Sequence, residues 1–319
     1  MISVLHLLSF SYIHKGSLTL HSNQNPWSKY FPENYSSKAN LILYGKIELS
    51  NKEDYLFKNV QFTYFNSQLL KIKNENSIIC FYQVLFNDGN CNSCELVELN
   101  CKSFVKLHVS CMRLKNYKNL FALENAKDIT EYCSIANTDN IGSHFNTQFI
   151  ELTTKSCNFS NNRGCLSPIV FAAKNKYETG SISYCSFEQI AANTTLYLVF
   201  GKYTVTNSTF IKCMLTGLTS DNNYKILFVL DTTELILNNV GFVNCQWNNF
   251  SKTNQKVTIS GNNNYFQDCE GTIPKDVKTG GTLSTFSLSI LSPNLNFYTY
   301  NLREDLQRYR KRGIKINGI

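Results

Sequence analysis

Glycine and proline are scarce in this chain, 15 and 5 of 319 residues. That scarcity excludes collagen-like and Gly/Pro-rich disordered chains, and it leaves few ready-made sharp turns. No apolar run approaches the roughly 18 uninterrupted residues a membrane helix needs, so no membrane span is expected. Aspartates are dispersed and no Asp-Asp pair occurs. Gly-x-Ser-x-Gly, P-loop and dinucleotide fingerprints are missing, which removes the best-marked hydrolase and nucleotide-binding classes.

What is present is enough to fold. Hydrophobic residues make up 43% of the chain, ample for a continuous core, so wholesale disorder is not expected. The composition leans to Asn, Lys, Ile, Tyr, Phe, Leu and Ser. Such a skew follows from AT-rich coding, so abundant Asn and Lys need no functional explanation. The formal net charge is +8, yet the lysines are scattered. The one dense basic cluster, Arg308, Arg310, Lys311 and Arg312, fits a solvated tail, and no nucleic-acid partner is expected. Five N-x-Ser/Thr sequons, at Asn34, Asn158, Asn193, Asn207 and Asn249, are no more than this composition supplies by chance.

The informative feature is a repeat. Asn59-Val-Gln-Phe62, Cys157-Asn-Phe159, Cys185-Ser-Phe187, Asn207-Ser-Thr-Phe210, Asn239-Val-Gly-Phe242 and Asn263-Asn-Tyr-Phe266 share a final aromatic anchor. Weaker copies place Leu85, Leu114 and Ile135 at that position, and subtracting successive anchors gives gaps of 23, 29, 21, 24, 28, 23, 32 and 24. Uneven gaps are expected where a fixed structural turn carries variable outward loops.

The apolar residues are phased against the anchor. Seven and five residues before it stand Tyr55 and Phe57, Leu107 and Val109, Tyr203 and Val205, Leu235 and Leu237, the period-2 mark of a half-buried strand. The phase then slips by one, so that the next inward pair falls two before the anchor and on it, as in Cys185 and Phe187. A slip without reversal means the chain bends. Asn occupies the slip at 59, 207, 239 and 263, and Asn tolerates the left-handed backbone that such a bend requires. A second polar position follows two after the anchor, at Asn161, Gln189, Lys212, Asn244 and Asp268. A third strand-like run follows in most copies, for example Leu96-Val-Glu-Leu99 and Leu196-Tyr-Leu-Val-Phe200.

Three short strands per coil, bent rather than reversed and repeated about every 26 residues, describe a parallel β-solenoid. The expected fold is all-β: a right-handed parallel β-helix of nine to ten coils, roughly 40 Å long at about 4.8 Å per coil, with short terminal caps. Residues 1–40 are expected to form an N-terminal cap or a signal segment, 41–272 the helix, and 273–319 an irregular cap with a short basic helix around Leu302, Leu306 and Tyr309. Met1–Ile13 has the length of a signal-peptide hydrophobic region but lacks a positive start and a small-x-small cleavage site. A leucine-rich repeat fits less well, since Phe rather than Leu is the anchor.

On Ser156-Cys-Asn-Phe-Ser-Asn-Asn162 and Tyr184-Cys-Ser-Phe-Glu-Gln-Ile190 the chain resembles the Cys- and Asn-rich right-handed β-helix proteins of parasitic protists, over roughly Tyr55 to Cys269. The resemblance implies a secreted or surface protein of adhesive or unknown role, with host or self surface proteins or glycans as partners and no agreed catalytic site. The chain departs from that family in lacking the Gly-Gly-Ala that commonly follows the core and a terminal membrane helix. An extracellular or cell-surface location is the expectation; a cytoplasmic one stays open.

The 12 cysteines partly follow the repeat. Cys133, Cys157 and Cys185 lie two before their anchors, and Cys213, Cys245 and Cys269 three after theirs, so stacking predicts two ladders of buried thiols. Cys91-Asn-Ser-Cys94, with Cys101, Cys111 and His108 nearby, lacks the second pair that structural zinc needs and is expected to be a loop with a local disulfide. Hydrolases and lyases acting on acidic polysaccharides need converging carboxylates and a basic residue. Asn137-Thr-Asp139 with His144 matches one fragment of a polygalacturonase signature, without the Asp pair or the Gly-His-Gly that complete it. No catalytic, cofactor or metal residue is therefore assigned, and the chain is expected to be a non-enzymatic scaffold. A polysaccharide-active enzyme is the alternative, to be tested on whether Asp139, Glu151 and Glu178 converge.

Overall fold

The computed structural model describes residues 47–49, 54–58, 60–165, 167–215, 226–231, 234–250 and 257–280. All regular structure among them is strand, and each strand lies parallel to its counterpart one coil away. The result is a β-solenoid of about eight turns. The expected cap at 1–40 and residues 281–319 of the cap expected at 273–319, including the basic cluster and the short helix, fall outside the described residues. Val277–Thr279 is described, and it pairs in parallel with Thr258–Gln267 through a bulged register, so ladder pairing reaches beyond residue 272.

The backbone register revises the anchor column. Phe62 pairs with Phe86, Phe86 with Cys111, and Cys111 with Ile135. Leu85 and Leu114 are therefore not anchors. Leu85 lies one residue before the column and Leu114 three after it, where Leu114 is buried beside Phe65 and Gly89. The misreading has a physical cause: Leu85-Phe86 offers two apolar candidates side by side, and Cys111 is too small to announce itself. From Ile135 onward Phe159, Phe187, Phe210, Phe242 and Phe266 follow as expected. The corrected gaps, by subtraction, are 24, 25, 24, 24, 28, 23, 32 and 24, more regular than the sequence indicated.

Correcting the anchor also corrects the first strand of that coil. The residues seven and five before Cys111 are Phe104 and Lys106, not Leu107 and Val109, and they pair with Ile79 and Phe81 on one side. On the other side they pair with Asp128 and Thr130. Alternation along Ile78–Tyr82 and Ser103–Leu107 thus sends Ile79, Phe81, Phe104 and Lys106 inward.

Both bends are made by left-handed residues. Three before the anchor, φ lies between 48° and 56° at Gln83, His108, Tyr132, Ser156, Tyr184, Asn207, Asn239 and Asn263. Two after the anchor it lies between 51° and 57° at Tyr64, Asp88, Arg113, Asn137, Asn161, Gln189, Lys212, Asn244 and Asp268. Only part of each row is Asn. A Tyr or Lys in this region costs about 1–2 kcal/mol locally, so the bend is imposed by the coil-to-coil ladder and not by local preference. The third strand adds two inward columns, Leu70–Val97–Phe121–Phe145–Ile169–Leu196 and Ile72–Leu99–Leu123–Thr147–Phe171–Leu198. These columns close the core against the anchors.

Candidate functional site

Two kinds of place on this scaffold hold chemistry: the outer bend rows and a set of polar groups inside the coil. The outer row three before the anchor brings His108 over Tyr132, rings stacked 5.1 Å apart, with the Tyr82 ring edge-on to His108 at 5.9 Å. Burial lowers the His108 pKa from its usual value while the nearby Glu131 charge opposes the shift. Further along the same row Tyr184 is 52% exposed, and Asn239 Nδ2 donates to Asn207 Oδ1 at 3.3 Å. A separate asparagine ladder runs Asn140 to Asn116 to Asn90, each amide donating to the carbonyl oxygen of the coil before at 2.7 and 2.9 Å. On the second bend row Arg113 clasps Asp88 through Nε and Nη2 at 2.6 and 2.9 Å, which holds the Asp88 carboxyl below its ordinary range.

The three carboxylates considered as a catalytic group do not gather on one edge: Asp139 stands apart, whereas Glu151 faces Thr179, the neighbour of Glu178, on the next coil. Asp139 stands between Lys115 and Arg163 in a stack four after the anchor. Glu151 lies eight before the anchor and pairs with Lys127 at 2.7 Å. Glu178 accepts from the Asn175 backbone and side-chain amides at 3.0 Å each. The fragment Asn137-Thr-Asp139 is split three ways: Asn137 makes a bend, Asp139 joins the outer stack and Thr138 turns inward. Inside, Thr138 Oγ1 meets His144 Nε2 at 2.8 Å and donates to Asn162 Oδ1 at 2.8 Å. Burial drives the His144 pKa down to about 3, so this imidazole is a neutral member of a core network.

The cysteine-rich segment also divides. Cys91 and Cys94 form a disulfide with Cα atoms 5.9 Å apart. Cys101 and Cys111 are buried free thiols, and His108 is on the outer row. No group of three or more His, Cys, Asp or Glu among the described residues has metal-binding geometry. The two expected thiol ladders are present: Cys133, Cys157, Cys185, Cys213, Cys245 and Cys269 are free, each sulfur 3.2–3.8 Å from main-chain carbonyl oxygens. Burial pushes Cys133 and Cys157 well above the usual thiol range, and contact with Cys213, more than burial, pushes Cys245 up to about 12.

The group that sequence reasoning missed is an ion pair in the core. Lys106 Nζ lies 2.5 Å from Asp128 Oδ1, with side chains 1% and 0% exposed. Thr130 and Thr147 hydroxyls donate to the two carboxylate oxygens at 3.3 and 3.2 Å. The ammonium also faces the rings of Phe104, Phe145 and Phe121, at 4.1, 5.0 and 5.7 Å from their centroids. A correct register would have flagged it, because Lys106 and Asp128 then occupy inward positions.

No family model, curated protein or solved structure matches the chain. Among the described residues no helix is long and apolar enough to cross a membrane. The fold defines the class, a parallel β-solenoid repeat protein.

Proposed function

We propose that this chain is a non-enzymatic interaction scaffold, a right-handed β-helix of the pectin-lyase-like kind. It acts outside the cell or at its surface in the manner of the Cys- and Asn-rich protist proteins it resembles. The observation that carries the reading is the row three before the anchor. In coil after coil the backbone accepts a left-handed residue to turn a side chain outward, and the row presents His108, Tyr132 and Tyr184 beside polar residues. A regularly spaced aromatic and amide edge suits an extended ligand, such as a glycan or a partner's strand-like segment, because the spacing repeats at about 4.8 Å. Two of the residues that invited an enzymatic reading are engaged elsewhere, His144 inside the core and Glu151 with Lys127.

The test is a glycan and surface-protein binding array, run in parallel with a cleavage assay on acidic polysaccharides. The expected outcome is binding that falls at least tenfold in Tyr132→Ala/Tyr184→Ala, with no new chain ends. Release of unsaturated or reducing ends by the wild-type chain, lost on changing Glu151 or Asp139, would replace the scaffold reading with the polysaccharide-active one.

A further inference from the structure

We propose that Lys106 and Asp128 condense to an intramolecular isopeptide bond, so that the buried pair is a site of self-modification that staples one coil to the next. Four observations converge on it. The amine nitrogen and carboxylate oxygen are 2.5 Å apart, and neither side chain has meaningful contact with solvent. The pair sits on adjacent coils, with Lys106 opposite Thr130 and Asp128 two residues earlier, so stacking holds the two side chains together. The ammonium has three donors, and apart from Asp128 its surroundings include three phenylalanine rings. A dry, aromatic-lined site is a costly place for two full charges, and condensation removes both. Finally, the carboxyl is already polarised, because the Thr147 hydroxyl donates to Oδ2 and the Thr130 hydroxyl to Oδ1.

The step balances without an outside reagent. A proton passes from Nζ to Oδ1 along the existing hydrogen bond, leaving a neutral amine and a neutral carboxylic acid. The Nζ lone pair adds to Cγ while charge develops on Oδ2, where Thr147 donates. The Cγ–Oδ1 bond then breaks. Oδ1 leaves as water, carrying the first proton and a second from the attacking nitrogen, and one N–H remains on the amide. Thr154 extends the Lys106–Thr130 column by one coil, and its buried hydroxyl lacks a hydrogen-bond partner. It offers a polar contact for the departing water. Excluding bulk water then protects the amide from the reverse reaction.

Peptide mapping of the full chain, denatured, reduced and alkylated, decides the matter. With the bond in place, trypsin fails to cut after Lys106, and Ser103–Arg113 is recovered joined to Asp128–Lys155, one water lighter than the two together. Lys106→Arg keeps the charge but cannot form this link, and should return Asp128–Lys155 as an ordinary peptide. Thr147→Val should lower the linked fraction severalfold. Recovery of Ser103–Lys106 and Leu107–Arg113 as separate peptides in full yield from the wild-type chain overturns the proposal. So does a one-water deficit confined to Asp128–Lys155 alone, which marks internal dehydration of that peptide.

Discussion

The two halves of the solenoid obey the same stacking rule and fill it differently. From Phe159 to Phe266 the anchor column is unbroken: five rings lie one over another with centroids 4.6–5.1 Å apart and planes within 4–11°. Aromatic pairs of this kind add about 0.5–1.5 kcal/mol each beyond the area they bury. In the first half the column begins the same way, with Phe62 on Phe86, then passes through Cys111 and Ile135. Where those rings are missing, the core takes Phe104, Phe121 and Phe145 from other columns and encloses Lys106 and Asp128.

The outer faces differ in parallel. Cys80, Val105, Leu107 and Ile129 point away from the main core yet are buried in a second apolar cluster with Leu56, Ile78 and Tyr82. The equivalent outer positions later in the chain include Ser181 and Thr204. Strands with apolar residues on both faces lose the alternation by which a half-buried strand is recognised. A solenoid therefore conserves its backbone spacing while its contents vary, and identical side chains are sufficient but not required.

Breaking the regular half should have the largest effect. Phe187→Asp puts a charge between Phe159 and Phe210 and should abolish cooperative thermal unfolding, a cost of several kcal/mol. A variant that melts like the parent by circular dichroism would contradict the inward column. In the irregular half, Lys106→Met leaves Asp128 buried without its partner and should cost about 3–5 kcal/mol. Lys106→Met/Asp128→Leu should be more stable than either single variant in urea titrations.

His144 sharpens the comparison through pH. Its folded pKa, about 3, lies below the ordinary value near 6.5, so below 6.5 the unfolded chain binds a proton that the folded chain refuses. Stability is fully present above pH 6.5 and falls by about 1.4 kcal/mol per pH unit as pH drops toward 3. A His144→Asn variant should lack this component of the slope. Next in size, Cys157→Ala should cost about 1 kcal/mol for a small cavity in the ladder, and the native thiols should resist alkylation at pH 8. Denatured, unreduced protein should titrate at least the nine cysteines seen as free; near-zero titratable thiol would mean that the ladders are oxidised. The smallest effect is expected at the bend: Tyr184→Asn, at φ 54°, should stabilise by about 0.5 kcal/mol, since Asn accepts this conformation more readily.

The sequence reading was strongest where large residues recur at constant offset. Phe187, Phe210, Phe242 and Phe266, the bends at Asn207 and Asn239, and both cysteine ladders all appeared at their predicted positions. It failed at Leu85 and Leu114, where a small or doubled apolar residue shifted the apparent anchor. The three-residue displacement from Cys111 to Leu114 hid the inward placement of Lys106. The outer candidates were legible as residues but not as neighbours. Nothing in the spacing of Asp139, Glu151 and Glu178 shows that Asp139 joins an outer stack with Lys115 and Arg163 while Glu151 faces Thr179, next to Glu178, on another edge of the coil.

The amino-acid sequence alone determined that this chain coils: a period of about 26 residues and recurring inward phases are local properties, written in each repeat. The tertiary structure alone decided which residue stacks on which, because register is a relation between coils and is settled by the summed pairing of whole strands. The Lys106–Asp128 pair and the Thr138–His144–Asn162 network exist only as consequences of that registration. Buried charges and amides carry no hydrophobic signature in the sequence, and they become visible once neighbouring coils are laid on one another.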